Sequence, residues 1–215
     1  RQLQMCIRDS FMSTTSRFHG VTVTLVDTGA RVITLPSTSI IGLVDTFTPG
    51  ETATAQPNDL VLLTSEREAV AAFGDDSAIT RAAKAVFIRA KAVIVACGVA
   101  KLDDPALQTS AIIGGVLVSG QRTGLQALLD GKSRFNAQPR LLIAPKHSAT
   151  QAVATAMDAL AGKLRAIAII DGPNTTDEAV LAYAKEFGSK RVFMVDPGVQ
   201  PVSYTHLTLP TSDLV

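Results

Sequence analysis

Hydrophobic and polar positions along the chain follow two rhythms that meet near Pro49 and Gly50. In the first, Val21, Val23 and Leu25 fall on one side of the backbone and Thr22 and Thr24 on the other, the period of two that a strand requires. Asp27-Thr28-Gly29-Ala30 is a turn signal, residues 31–35 resume a strand, and Pro36 stops it, so a hairpin is expected. Residues 39–45 form a third apolar strand, and a polar loop follows over 46–59 with Pro49, Gly50 and Pro57 as breakers.

After Asp59 the pattern becomes a short apolar run followed by a helix-period segment, repeated. Residues 60–63 lead to Ser65, which reads as a helix N-cap because Glu66 and Glu68 follow it in the first turn. Val70 and Phe73 share a helical face, and Gly74 ends that turn. Residues 77–89 predict a second helix, and 91–97 form a continuous apolar strand of the kind buried on both faces. Pro105 opens a helical stretch that the apolar run carries through 112–118, although Gly114 and Gly115 weaken it or permit close packing. A short helix is expected over 124–129 and a strand over 140–144. Ser148 then caps a helix over 151–164, whose Val153, Met157 and Leu160 make an apolar stripe. Strand 166–170, helix 176–187 and strand 191–195 complete the series, with Met194 and Met157 as packing residues.

Strand, helix and strand at this spacing imply right-handed crossovers. The fold class expected is α/β, a mainly parallel sheet with covering helices, preceded by an extended N-terminal β arm or hairpin. No repeat of 20–50 residues and no low-complexity tract interrupts it.

The ends of the 215-residue chain read unlike its middle. Codons able to encode Met5-Cys6-Ile7-Arg8-Asp9-Ser10 give, as their reverse complement, codons for Val202-Ser203-Tyr204-Thr205-His206. That relation resembles the inverted end of a transposon-based sequencing adaptor. Residues 1–10 and 202–215 are therefore set aside as adaptor-derived scars. The remainder is expected to start at Met12 and to be cut off near Gln200. It divides into an N-terminal β arm with the first strands (11–48) and an α/β domain (49–201).

The chain carries 20 Lys and Arg against 19 Asp and Glu, a net charge of +1 that argues against an electrostatic nucleic-acid binder. The longest apolar stretches, 92–100 and 111–118, are about half of what a bilayer crossing needs. No basic leader precedes a hydrophobic segment, so the sequence reads as soluble and cytoplasmic. With Cys6 assigned to the scar, Cys97 stands alone in an apolar run and reads as a small buried hydrophobe in a reducing compartment. His19 and His147 are far apart in sequence, and no metal-ligand spacing exists.

A parallel sheet raises the expectation of a ligand at the carboxyl ends of its strands. Gly131-Lys132-Ser133 looks like the tail of a phosphate-binding loop, but Gln126 stands where its first glycine belongs and a helix-like segment precedes it. Asp171 ends a strand and is followed by Gly172-Pro173-Asn174 and then Asp177; such acids could hold a metal or phosphoryl group. The same residues are turn chemistry, and Thr175 or Thr176 with Asp177 and Glu178 is a helix N-terminus complementing the dipole. Asp75-Asp76, Asp103-Asp104 and Asp196 share that loop reading. Lys146-His147-Ser148 follows a strand, yet no G-x-S-x-G elbow exists and Ser148 is better used as a cap. His19 lies in the arm beside Gly20 and reads as solvated.

Phe18-His19-Gly20-Val21-Thr22-Val23, then Thr28-Gly29-Ala30-Arg31-Val32-Ile33, then Ser37-Thr38-Ser39-Ile40-Ile41-Gly42-Leu43-Val44 resembles the start of contractile-tail sheath proteins. The similarity continues through Asn58 to Thr64, Thr123 to Leu129, Pro139 to Pro145, Lys163 to Ala166 and Arg191 to Pro197. It covers essentially residues 11–200, and Gly198-Val199-Gln200 departs from the aromatic or further strand that members often carry there.

The resemblance implies a structural role without catalytic, cofactor or metal residues. Sheath subunits stack as hexameric rings around a tail tube above a baseplate, assemble in the bacterial host cytoplasm and become part of the virion tail. They contract from a metastable extended form without consuming nucleotide, while terminal arms add strands to a neighbour's sheet. On that reading Val21, Thr22, Val23, Thr24, Leu25 and Val26 are an inter-subunit strand. Fixing backbone costs roughly 1–2 kcal/mol per residue, which a short ribbon rarely recovers alone, so pairing with another chain's sheet edge is expected. The alternative reading is an edge hairpin of the subunit's own sheet. Sheath members continue well past this length, so a truncated subunit that forms no tubes alone is expected. The rival is a small-molecule or phosphate-binding α/β enzyme using Asp171, Asp177 or His147.

Overall fold

The computed structural model describes residues 40–50 and 53–198, together with the backbone of 200–203 and 206–208. The proposed arm strand of Val21, Thr22, Val23, Thr24, Leu25 and Val26, the turn after it, the strand over 31–35 and the flank over 1–10 lie outside the described residues.

The strands run β1 (Ile40–Phe47), β2 (Leu60–Leu63), β3 (Val93–Ala100), β4 (Leu141–Ile143), β5 (Ile167–Asp171) and β6 (Val192–Val195). They form one sheet in the order β2-β3-β1-β4-β5-β6. β1 pairs parallel with both β3 and β4, β4 with β5, and β5 with β6; β2 alone is antiparallel. The α/β class with a mainly parallel sheet is therefore the observed one. A separate two-stranded antiparallel ribbon joins β7 (Gln200–Ser203) to β8 (His206–Thr208), within and just before the flank over 202–215.

Helices cover both faces: α1 (Glu66–Phe73) and α2 (Ala78–Arg89) on one, α3 (Pro105–Ile113), α4 (Gly124–Ala127) and α6 (Gln151–Leu164) on the other. The short α5 (Gly131–Phe135) and the C-terminal α7 (Asp177–Lys185) complete the set. Because strand side chains alternate, the two central strands feed two cores. Leu43 and Phe47 of β1 join Ile94 and Ala96 of β3 under α1 and α2, packed with Leu63, Phe73 and Ile79. Ile40 and Val44 join Val95, Cys97 and Val99 on the other face, packed with Leu125, Leu128, Val153, Met157 and Leu160. The apolar stripe expected on α6 is thus its buried side.

Local chemistry sets the helix limits. Ser65 accepts a hydrogen bond from the Glu68 N–H at 3.5 Å, and the Glu68 carboxylate accepts from the Thr64 N–H at 2.6 Å, a reciprocal cap. That backbone donor, with the Thr64 hydroxyl, holds the Glu68 carboxyl below its ordinary value. Ser77 caps α2 through the Thr80 N–H, and Asp104 caps α3 through the Ala106 N–H with Pro105 in the first turn.

Two expectations are corrected here. The helix begun at Pro105 does not run through Val118: it stops at Ile113, where Gly114 takes φ +67° and its N–H closes on the Ser110 carbonyl. The chain then forms a hairpin in which Val116 bridges Arg122. Nor does Ser148 cap α6. Thr150 occupies that position, without a side-chain cap bond, and the Ser148 hydroxyl bonds instead to an acid 23 residues away. The short helix expected over 124–129 is present but changes to a tighter 3-10 turn at Leu128–Asp130 before α5.

Candidate functional site at the strand ends and the open sheet edge

From β1 the sheet grows to one side through β3 and to the other through β4, which makes the carboxyl ends of β1 and β4 the switch point where ligands of open parallel sheets bind. Asp45, near the end of β1, is buried, and its Oδ1 accepts from the Thr46 N–H at 2.7 Å. His147, in the loop after β4, places Nε2 3.4 Å from that same oxygen. The next residue faces a different acid: Ser148 Oγ donates to Asp171 Oδ2 at 2.8 Å and accepts from the Asp171 N–H at 3.2 Å.

Lys146, with φ +63°, turns the loop so that two sequence neighbours reach two strands. The outcome is a clasp across β1, β4 and β5. An activated serine needs a hydrogen bond to a base that takes its proton; here the hydroxyl proton of Ser148 points to a carboxylate that also fixes the strand end, and His147 pairs elsewhere.

Asp177 is not brought to Asp171. It sits exposed in the first turn of α7, where the Thr176 hydroxyl accepts from the Ala179 N–H at 3.4 Å. Of the remaining acids, Asp75 pairs with Lys84 at 2.5 Å, Asp104 caps α3, and Asp196 accepts from the Asn174 N–H at 2.8 Å. Asp76 and Asp103 are exposed beside them. Lys132 and Ser133 lie within α5, preceded by helix rather than strand, and Ser133 Oγ donates to the Asp130 carbonyl at 2.9 Å. Among the described residues no group of three or more His, Cys, Asp or Glu is placed to hold a metal. Cys97 is fully buried, and burial, aided by the Asp59 charge, pushes its thiol up to about 12. Two cavities, of about 540 Å³ around Thr48, Phe73 and Asp75 and about 430 Å³ around Asn58, Ala111 and Thr123, are lined by none of the strand-end residues.

The far edge of the sheet is a surface of another kind. Among the described residues β6 is the last strand of the sheet, Phe193 on it is 61% exposed, and no residue of α7 is buried. Leu181 of α7 is also 61% exposed. A strand edge next to uncovered aliphatic and aromatic side chains is the geometry on which further backbone is added. Among the described residues no helix is long and apolar enough to cross a membrane.

Residues 38–99 match the family model for the N-terminal region of domain III of the tail sheath protein Gp18. A prophage major tail sheath protein of Pseudomonas aeruginosa (strain UCBPP-PA14) is 70% identical over 185 residues, which cover 86% of this chain and 48% of the relative. Over most of its length the chain is similar to tail sheath proteins. The tail sheath protein of Escherichia phage P2 is 33% identical over 187 residues, covering 83% of this chain and 47% of its own length. A chain in the cryo-EM structure of the contracted anti-feeding prophage baseplate shares the fold, with a TM-score of 0.55 at 13% identity over 80% of this chain and 45% of that one. The chain thus spans about half the length of the curated relatives it matches.

The sequence reading missed the clasp. Asp45 reads as part of an apolar strand and Ser148 as a local cap; the available signal is a charged residue directly after the apolar run of 40–44 and within the same strand, which calls for a partner when buried.

Proposed function

We propose that this chain is part of the structural subunit of a contractile phage-type tail sheath, which polymerises around a tail tube above a baseplate and contracts to drive injection. The observation that carries this reading is the 70% identity, over 185 residues, to a prophage major tail sheath protein. That length is close to the 191 residues left when the flanks 1–10 and 202–215 are set aside as adaptor-derived. The working division is then an arm with first strands over 11–48, the last of which, β1, enters the sheet of the α/β domain, and the rest of that domain over 49–201.

In this role the subunit's chemistry is pairing of backbone, and catalysis is not part of it. Val21, Thr22, Val23, Thr24, Leu25 and Val26 are the strand given to a neighbouring copy, with Val21, Val23 and Leu25 as its apolar anchors. The uncovered flank of β6 and α7 supports the reading, since a further strand laid there would cover Phe193. The clasp residues Asp45, His147, Ser148 and Asp171 hold the strand ends together under load. Subunits so joined stack as hexameric rings, assembled in the bacterial host cytoplasm and carried in the virion tail, without direct contact to nucleic acid or membrane.

The test is to express the intact reading frame of which this sequence is part and to examine it by negative-stain microscopy. Ordered tubes are expected. A monodisperse monomer at high concentration that turns over a small molecule would overturn the proposal.

A further inference from the structure

Helices cover one face of the sheet along its whole width and the other over only half of it. Every described helix packs into one of two cores. α3 to α7 lie on the face of Leu142, Ala168, Ile170, Val192 and Met194, and so reach β4, β5 and β6. α1 and α2 lie on the opposite face, and their core draws no residue from β5 or β6. The register shows what is left bare. Leu141 pairs with Ile41 and Ile167, Ile143 with Leu43 and Ile169, and Ile169 with Phe193, and residues so paired in parallel strands point the same way. Leu43 faces the core under α1 and α2, so Leu141, Ile143, Ile167, Ile169 and Phe193 share its face. None of these five is buried, and Ile167 is 46% exposed and Phe193 61%, whereas Leu142, Ala168 and Ile170 on the opposite face are fully buried. Among the described residues this half-face is apolar and uncovered.

A strand added at the β6 edge does not close this gap. It extends the sheet by one ladder and leaves Leu141, Ile143 and Ile167 in water. The gap has the width of a helix: β4 and β6 stand two strand intervals apart, about 10 Å, close to a helix diameter of about 10–12 Å. In this sheet the face of each crossover follows its direction of travel, as right-handed connections require. From β1 to β3 the chain moves away from β4 and passes over the face of α1 and α2. From β3 to β4, and on to β5 and β6, it moves the opposite way, and α3 to α7 lie on the other face. By the same rule, a chain that turns back from β6 passes over the bare half-face. Its exit is held at the carboxyl ends of the strands: Gly172 N–H bonds the Val195 carbonyl at 2.8 Å, and Gly198 N–H bonds Asn174 Oδ1 at 3.3 Å.

We propose that the polypeptide following residue 200 in the intact reading frame turns back at β6 and lays the apolar side of a helix over β4, β5 and β6. The proposal rests on the lattice reading above only so far as that reading makes this chain a piece of a longer subunit, in keeping with relatives of which it matches 48% and 47%. The handedness of the sheet is what selects this occupant, since it directs the chain leaving β6 onto this face and no other.

The test labels introduced cysteines with a maleimide at dilute protein concentration and reads each site by peptide mass spectrometry. Phe193→Cys and Ile167→Cys are compared in the 215-residue chain and in the intact reading frame lacking residues 12–36, a deletion that removes the proposed inter-subunit strand. Lys132→Cys, exposed on α5, is the control. Labelling at 193 and 167 is expected to be slower by about tenfold or more in the longer protein, and equal at 132. Ile167→Asp is expected to leave the thermal midpoint of the 215-residue chain nearly unchanged and to lower that of the longer protein by several degrees. Equal labelling in the two proteins overturns the proposal. So does protection that appears only as concentration rises, which assigns the face to a second copy, or protection seen only while residues 12–36 are present, which assigns it to the arm. If the intact reading frame forms tubes while labelling at 193 and 167 is equal, this inference alone falls and the lattice reading stands. If the two sites are protected and tubes never form, the inference stands and the lattice reading falls.

Discussion

Phe47 of β1 and Phe73 of α1 meet edge to face, with ring centroids 5.3 Å apart and planes at 74°, over the bare Cα of Gly98. A Cβ on Gly98 would lie 2.6 Å from Phe73 Cε1 and 2.7 Å from Phe47 Cδ1. The missing side chain is what admits the aromatic pair to the sheet surface.

Gly98→Ala is therefore expected to overpack this core and cost about 1–3 kcal/mol, with Phe73→Ala costing about 3–5 kcal/mol by leaving a cavity. Urea denaturation of the two variants and of the double variant checks both. The double variant should cost less than the sum, since the small residue at 73 makes room for the new methyl.

Ser148→Ala and Thr150→Ala separate the clasp from the cap. Thr150 makes no side-chain cap bond, so its loss should be nearly neutral. Ser148→Ala removes the donor to Asp171 and the acceptor for the Asp171 N–H, at about 1–3 kcal/mol. Equal effects at the two positions in thermal unfolding would return Ser148 to the role of an ordinary cap.

Cys97 should resist thiol reagents in the folded protein through mildly alkaline pH and react on unfolding. Its ordinary value is 9.0 and burial raises it to about 12. The fold disfavours the thiolate, so the contribution of this group to stability is full below about 9 and falls as pH rises from there through about 12. Unfolding midpoints of the wild type and Cys97→Ala, compared across that window, check the sign.

Val23→Pro places a residue without an N–H, and with a fixed φ, in the strand proposed to pair between subunits. Tube formation by the intact reading frame should be lost while the thermal midpoint of the domain beginning at β1 stays unchanged. Unaltered tubes would remove Val21–Val26 from the interface.

Much of the fold could be read from pattern because its causes are local. The 3.6-residue stripe of Val153, Met157 and Leu160 marked α6, and Ser65 before Glu66 and Glu68 marked the start of α1. The apolar run before Cys97 marked a doubly covered strand. What pattern could not supply is pairing at a distance. Ser148 sits three residues before a helix, where caps are found, and only the sheet order brings Asp171 to it. The run from Ala111 to Val118 has one composition and two fates, helix below Gly114 and ribbon above it. The Gly114-Gly115 and Ser119-Gly120 pairs bracketing the tip were the turn signal available, outweighed by the hydrophobicity between them.

β1 lies inside the sheet, flanked by parallel ladders to β3 over eight residues and to β4 over three. It is also the strand into which the preceding 39 residues lead. A pull transmitted along the backbone into Ile40 would therefore load two rows of hydrogen bonds in shear at once, so that they must fail together. Tension on β6, whose pairing among the described residues is the one row to β5, could peel those bonds apart one by one. Traction entering through the middle of the sheet is carried at the place least able to unzip.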